Sequence, residues 1–217
     1  MRARSQKLAG WLALVASLAL LNYVSRFTAG KPPPDTLYRY DTAISGAIFY
    51  GLTLAVVLWI ARGLSNEDLG LRQPRSWWRA LGLTLAVLIA LVVVEVALEA
   101  ILHGTREQGL QPKQWDSAKA VPFVLNAIVV AVLAPIVEEL TYRGVGFALL
   151  LRFGTLMAVV GTALAFAADH GLVEGFPALF VFGIAVAFLR LRTDSVYPGM
   201  LLHATFNALA LAEALVR

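Results

Sequence analysis

The chain has 217 residues, 59% of them hydrophobic and 15% charged, with no cysteine. Against the roughly 25% charge of soluble domains, a mean hydropathy of +0.73 excludes an ordinary soluble domain. Without cysteine there are no disulfides, no thiolate catalysis and no Cys-ligated zinc. The net charge of +4 comes from 18 basic and 14 acidic residues. The basic residues stand mostly in loops beside apolar runs, as membrane orientation requires. No Lys/Arg-rich tract with interleaved aromatics points to nucleic acid.

In chain order, Arg2, Arg4 and Lys7 precede an apolar run from Leu8 to Val24. That pattern also describes a signal peptide. The run is longer than a signal core, and its small-x-small candidate, Ser17-Leu18-Ala19, lies inside it, so an uncleaved first span is expected. Gly30 and the run Pro32-Pro33-Pro34 make residues 28–41 a non-helical crossing. Six further apolar stretches follow at about Thr42–Ala61, Trp78–Leu102, Val121–Leu151, Thr155–Asp169, Phe176–Leu189 and Ser195–Val216. A spanning helix takes roughly 20 apolar residues. The expected fold is therefore an all-α polytopic transmembrane bundle of about seven spans, forming one integral membrane domain over residues 1–217. Trp59, Trp77 and Trp78 suit headgroup depth. Residues 103–119 form a polar connection in which His103 carries no functional signal. Counting Lys and Arg by side gives eleven inside and seven outside for an inner N-terminus and an outer C-terminus, which sets the expected orientation.

Charges inside a span cost about 2.5–3.5 kcal/mol each and persist where they pair, face a water-filled cavity, or work. The fourth span holds Pro135-Ile136-Val137-Glu138-Glu139-Leu140-Thr141-Tyr142-Arg143. Glu139 and Arg143, four apart, share a helix face and can pair. Glu138 points about 100° away and has no local base, which favours a working role. His170 ends the fifth span in Phe166-Ala167-Ala168-Asp169-His170, and His203 and Asn207 share a face of the last span. Counted from the turns near Phe153 and Thr193, Glu138 and His170 stand at nearly equal depth. On the same count Asn207 is level with them and His203 lies one to two turns nearer the inner face. The three sets can therefore converge. Glu95 and Glu99 share a face of the third span and are read as partners for bundle arginines or as interfacial residues.

Glu138-Glu139-x-x-x-Arg143, Phe166-x-x-x-His170 and His203-x-x-x-Asn207, in that order and each in an apolar helix, resemble the motif set of the CAAX protease and bacteriocin-processing (CPBP, or Abi) family. That family includes the type II CAAX prenyl endopeptidases. The resemblance puts the family core at about residues 78–217, with two N-terminal spans and a linker in residues 1–77. It implies a glutamate-dependent intramembrane endopeptidase acting on a membrane-anchored protein or peptide in the lipid bilayer. By position, Glu138 would be the general base on a water shared with His170. His203 and Asn207 would donate to the oxyanion, and Glu139 with Arg143 would hold the site's shape. A raised carboxyl pKa in a low-dielectric setting suits a base, and fixed donors suit an oxyanion.

No cofactor is expected. Glu138, His170 and His203 are possible zinc ligand types, but the spacing is not His-Glu-x-x-His and Asn207 is a poor zinc ligand, so a zinc protease ranks second. A non-proteolytic scaffold or immunity-type protein of the same family is a further reading, against which the intact four-residue set argues. A proton-coupled transporter is weakened because no pair of broken, repeat-related helices is visible. The expected location is a multi-pass position in a bacterial or archaeal cytoplasmic membrane.

Overall fold

The computed structural model describes residues 2–29, 32–102 and 115–216, and every regular element among them is helical. Seven helices follow the apolar stretches: α1 Arg2–Ala29, α2 Tyr40–Ala61, α3 Trp77–Leu102, α4 Ser117–Phe153, α5 Thr155–Asp169, α6 Phe176–Thr193 and α7 Tyr197–Val216. By length and composition α1, α2, α3, α4 and α6 can each cross a membrane. The polytopic bundle of about seven helices is thus the architecture found. His103 and the connection after it, residues 103–114, lie outside the described residues. At 1.5 Å per residue, α5 is about 22 Å long, short of the roughly 30 Å hydrocarbon core. It is therefore shorter than a full span.

Segment α1 is a packed member of the bundle. Trp11 is 1% exposed, and its indole N–H donates to the Thr141 carbonyl at 2.8 Å. Lys7 donates to the Ile60 carbonyl at 3.0 Å and also to that of Arg62. A Cβ on Gly146 would lie 2.4 Å from Trp11 Cζ2, so the close approach of α1 to α4 depends on that glycine. Gly146→Ala is expected to cost about 1–3 kcal/mol by overpacking, read as a lower melting midpoint in detergent. An unchanged midpoint would show that α1 can shift away freely.

Helix α4 is not regular. Its α-helical turn Ala134–Glu139 is flanked by π-helical segments, Val129–Leu133 and Leu140–Gly146. The first has a visible cause. Pro135 has no N–H, so it cannot serve the carbonyl four residues back, Ala131, or the one five back, Val130, its partner in a π pattern. Asn207 on α7 supplies the missing donor, its amide reaching the Val130 carbonyl at 2.9 Å. In the second π segment Trp11 satisfies the Thr141 carbonyl. Side chains from other helices thus occupy backbone carbonyls on both sides of the Glu138-Glu139 pair.

At the end of the bundle carrying the connection 62–76, Arg190 donates to the Asp68 carbonyl at 3.1 Å and Val196 N donates to the Gly70 carbonyl at 3.0 Å. Arg72 pairs with Asp194 at 3.2 Å. Asp194, at φ 55, makes the left-handed turn between α6 and α7. Exposed pairs here contribute little, typically about 0–1 kcal/mol; the backbone bonds fix the turn.

Candidate active site

A cavity of about 1130 Å³ runs among the helices. Glu138, His170, His203 and Asn207 all line it, so the three motifs do converge. Glu95 and Glu99 line it too, and each is engaged with other groups. Glu139 and Arg143 lie behind the wall, both 0% exposed.

The pair behind the wall sets the rest. Arg143 Nη1 donates to Glu139 Oε1 at 3.1 Å, while Nη2 donates to the Gly183 carbonyl of α6 at 3.0 Å. The guanidinium also lies over the Phe166 ring, 4.6 Å from its centroid, a favourable cation–π placement. Taking both charges out of solvent costs several kcal/mol per ion, offset only by close pairing and further hydrogen bonds. The i, i+4 spacing persists through the start of the π segment, so the partnership read from the sequence is present.

His203, 3% exposed, is the hinge between the pair and the cavity. Its Nδ1 lies 3.0 Å from Glu139 Oε1. A carboxylate can only accept, so Nδ1 carries the proton. The remaining nitrogen, Nε2, stands 3.7 Å from Glu138 Oε2. Phe182 and Phe166 pack edge-on against the ring at 4.9 and 5.7 Å between centroids, which fixes its plane.

Glu138 is held differently from its neighbour. Its Oε1 accepts from the Tyr50 hydroxyl of α2 at 2.9 Å, and its Oε2 has no hydrogen-bond donor. The 100° rotation between successive helix positions gives the two glutamates different surroundings, Glu138 on the cavity wall beside Tyr50 and Glu139 behind it against Arg143. His203 nevertheless reaches both. The depth count differs by about a turn: His203, not Asn207, is level with Glu138, and Asn207 meets α4 at Val130. Equal depth would need the turns at Phe153 and Thr193 to stand at one level in regular helices, whereas the Asp194 turn is drawn onto Gly70 and Arg72, and the π segments change the rise along α4.

His170 follows the last residue of α5, and its Nδ1 lies 2.8 Å from the Phe166 carbonyl. The last carbonyls of a helix lack intrahelical donors, so the ring N–H takes one and Nε2 is left for the cavity. Gly171, at φ 63, ends the helix, and a Cβ there would lie 2.8 Å from the Asn22 carbonyl carbon. Asp169 beside it accepts from the Tyr142 hydroxyl at 2.6 Å and from Asn22 Nδ2 at 3.2 Å. This second polar layer ties α1, α4 and α5 together next to His170.

Tyr50, Tyr142, Asn22 and Asp169 were not among the residues expected in the site. Asp169 could have been found by the rule that singled out Glu138, an acid inside an apolar helix. Tyr142 stands within the α4 motif. Tyr50 and Asn22 carry no sequence signal. Among the described residues, no group of three or more His, Asp or Glu side chains is placed to hold a metal ion.

A polytopic helical bundle that gathers carboxylates and imidazoles around a cavity between its spanning helices is, by class, a membrane protein with an intramembrane polar site. Residues 120–209 match the family model described as type II CAAX prenyl endopeptidase Rce1-like. The CPBP resemblance carried by the three motifs is therefore borne out over a segment that includes all of them. The family supports CAAX-type intramembrane proteolysis as the general activity, with a membrane-anchored substrate and lipid surroundings. No match was found among curated proteins or among solved structures.

Proposed function

We propose that the cavity is the active site of a glutamate-dependent intramembrane endopeptidase. It would hydrolyse a peptide bond of a membrane-anchored protein or peptide. Glu138 Oε2 takes a proton from a water that His170 Nε2 also holds, and the water oxygen attacks the scissile carbonyl carbon. His203, when Nε2 is also protonated, donates to the resulting oxyanion, with the second amide hydrogen of Asn207 beside it. Collapse breaks the C–N bond, and Glu138 returns the proton to the leaving amine. Glu139 and Arg143 hold His203 in place. The observation that carries this reading is the cavity-lining Glu138: one oxygen engaged by Tyr50, the other without a donor and facing His203 Nε2 at 3.7 Å.

The orientation is also a proposal. With the N-terminus inside, the cavity end lined by Pro32, Pro33 and Glu174 faces outward and suits exported, membrane-anchored substrates of a bacterial or archaeal cytoplasmic membrane. Reporter fusions after the C-terminal helix test this, and an inward C-terminus would reverse it.

Activity is tested by reconstituting the protein in liposomes with lipid-anchored fluorogenic peptides. Wild type is expected to cleave, and His170→Ala to cleave about 10²-fold more slowly, the lower range for a positioned acid–base group. No cleavage of any anchored peptide by wild type would favour the scaffold reading. Loss on chelation with recovery on adding zinc would replace the water-activation scheme by a metal-dependent one.

A further inference from the structure

Tyr50 lies on α2, outside the segment 120–209 that matches the family. We propose that Tyr50 is a positioning residue whose hydroxyl, bonded to Glu138 Oε1, fixes the carboxylate so that Oε2 is the proton-accepting oxygen. The proposal rests on the assignment of Glu138 as the base.

Chemistry alone leaves the two oxygens of a glutamate equivalent, and its terminal torsion is broad and two-fold. A base at the end of such a side chain needs one oxygen tied before the other can hold a fixed place. The hydroxyl donates to Oε1 at 2.9 Å, within the range of a well-formed bond. Oε2 is buried, without a donor, and faces His203 Nε2. The donor is itself held. Phe49 packs edge-on against the Tyr50 ring at 5.3 Å. Helix α2 sits so close to α4 that a Cβ on Gly46 would lie 3.1 Å from Val129 Cγ1. A tyrosine ring also has few torsions to freeze, so the hydroxyl is placed at small entropic cost. A role in wall packing alone would need the ring and not the oxygen.

The test compares wild type, Tyr50→Phe and Glu138→Gln with the same lipid-anchored peptide, with Tyr23→Phe as control. Tyr23 donates to the Leu172 carbonyl at 3.3 Å and is not part of the cavity wall. Melting midpoints are measured alongside, and kcat is taken per folded, monodisperse protein. Tyr50→Phe is expected to lower kcat about ten- to hundredfold, the weight of a hydrogen bond to a charged group, with KM within about twofold, while Tyr23→Phe keeps wild-type kcat. An inactive Glu138→Gln together with an unchanged kcat in Tyr50→Phe, or a change in KM alone, would overturn this role and leave the base assignment standing. Wild-type activity in Glu138→Gln would remove the base assignment and this role with it.

Discussion

Glu138→Gln is expected to lower kcat by about 10²–10⁴-fold, the usual weight of a general base, without loss of helical content or a lower melting midpoint. The substitution is nearly isosteric. The amide oxygen can still accept from Tyr50, as Oε1 does at 2.9 Å, so the side chain keeps its place. What disappears is the oxygen facing His203 Nε2, replaced by an amide nitrogen that cannot take a proton. Glu138→Asp separates chemistry from placement. It keeps the carboxylate but draws it back by one methylene, and a misplacement of about 1 Å costs on the order of 10²-fold. Both variants should bind the lipid-anchored peptide as wild type does, measured by quenching in liposomes. If Glu138→Gln cleaves at the wild-type rate, Glu138 is not the base, and Asp169, the cavity acid next to His170, becomes the residue to test.

The helices were legible because lipid allows little else: backbone groups must be satisfied within each span, so apolar runs of spanning length map onto helices almost one for one. The expected Trp78–Leu102 became Trp77–Leu102, and Thr155–Asp169 matched residue for residue. The Glu139–Arg143 pair was legible because its geometry is local, two positions on one helix face. The contacts between helices were not. The meeting of His203 with both glutamates depends on how far the Asp194 turn is drawn onto the 62–76 connection. The Asn207 contact depends on a carbonyl freed by Pro135, a consequence of the π pattern that apolar periodicity does not report. Tyr50 and Asn22 look like ordinary polar residues in apolar helices until α1 and α2 are placed against α4 and α5. Polar residues in spans flag a site, but which of them touch is decided by helix register.

Arg143→Met is expected to give the largest loss of stability, about 3–5 kcal/mol, because it leaves the buried Glu139 carboxylate without its charge partner. Glu139 is 0% exposed, and its other neighbour at Oε1 is His203 Nδ1 at 3.0 Å. Lysine should rescue only in part. The guanidinium serves Glu139 from one nitrogen and the Gly183 carbonyl from another while lying over Phe166, and a single ammonium cannot reproduce that planar fork. The double variant Glu139→Gln/Arg143→Met should be more stable than Arg143→Met alone, since it removes the isolated charge as well. That comparison, by thermal or denaturant unfolding in detergent, distinguishes an electrostatic cause from a simple cavity, which would leave the double variant no better. On the proposed mechanism the pair also bears on the chemistry, because the Glu139 contact at Nδ1 leaves His203 Nε2 facing Glu138. Glu139→Gln should therefore cost activity even where it folds, its amide giving His203 a weaker partner at Nδ1. Unchanged unfolding of Arg143→Met together with unchanged cleavage by Glu139→Gln would show that the pair neither holds the bundle nor orients the histidine.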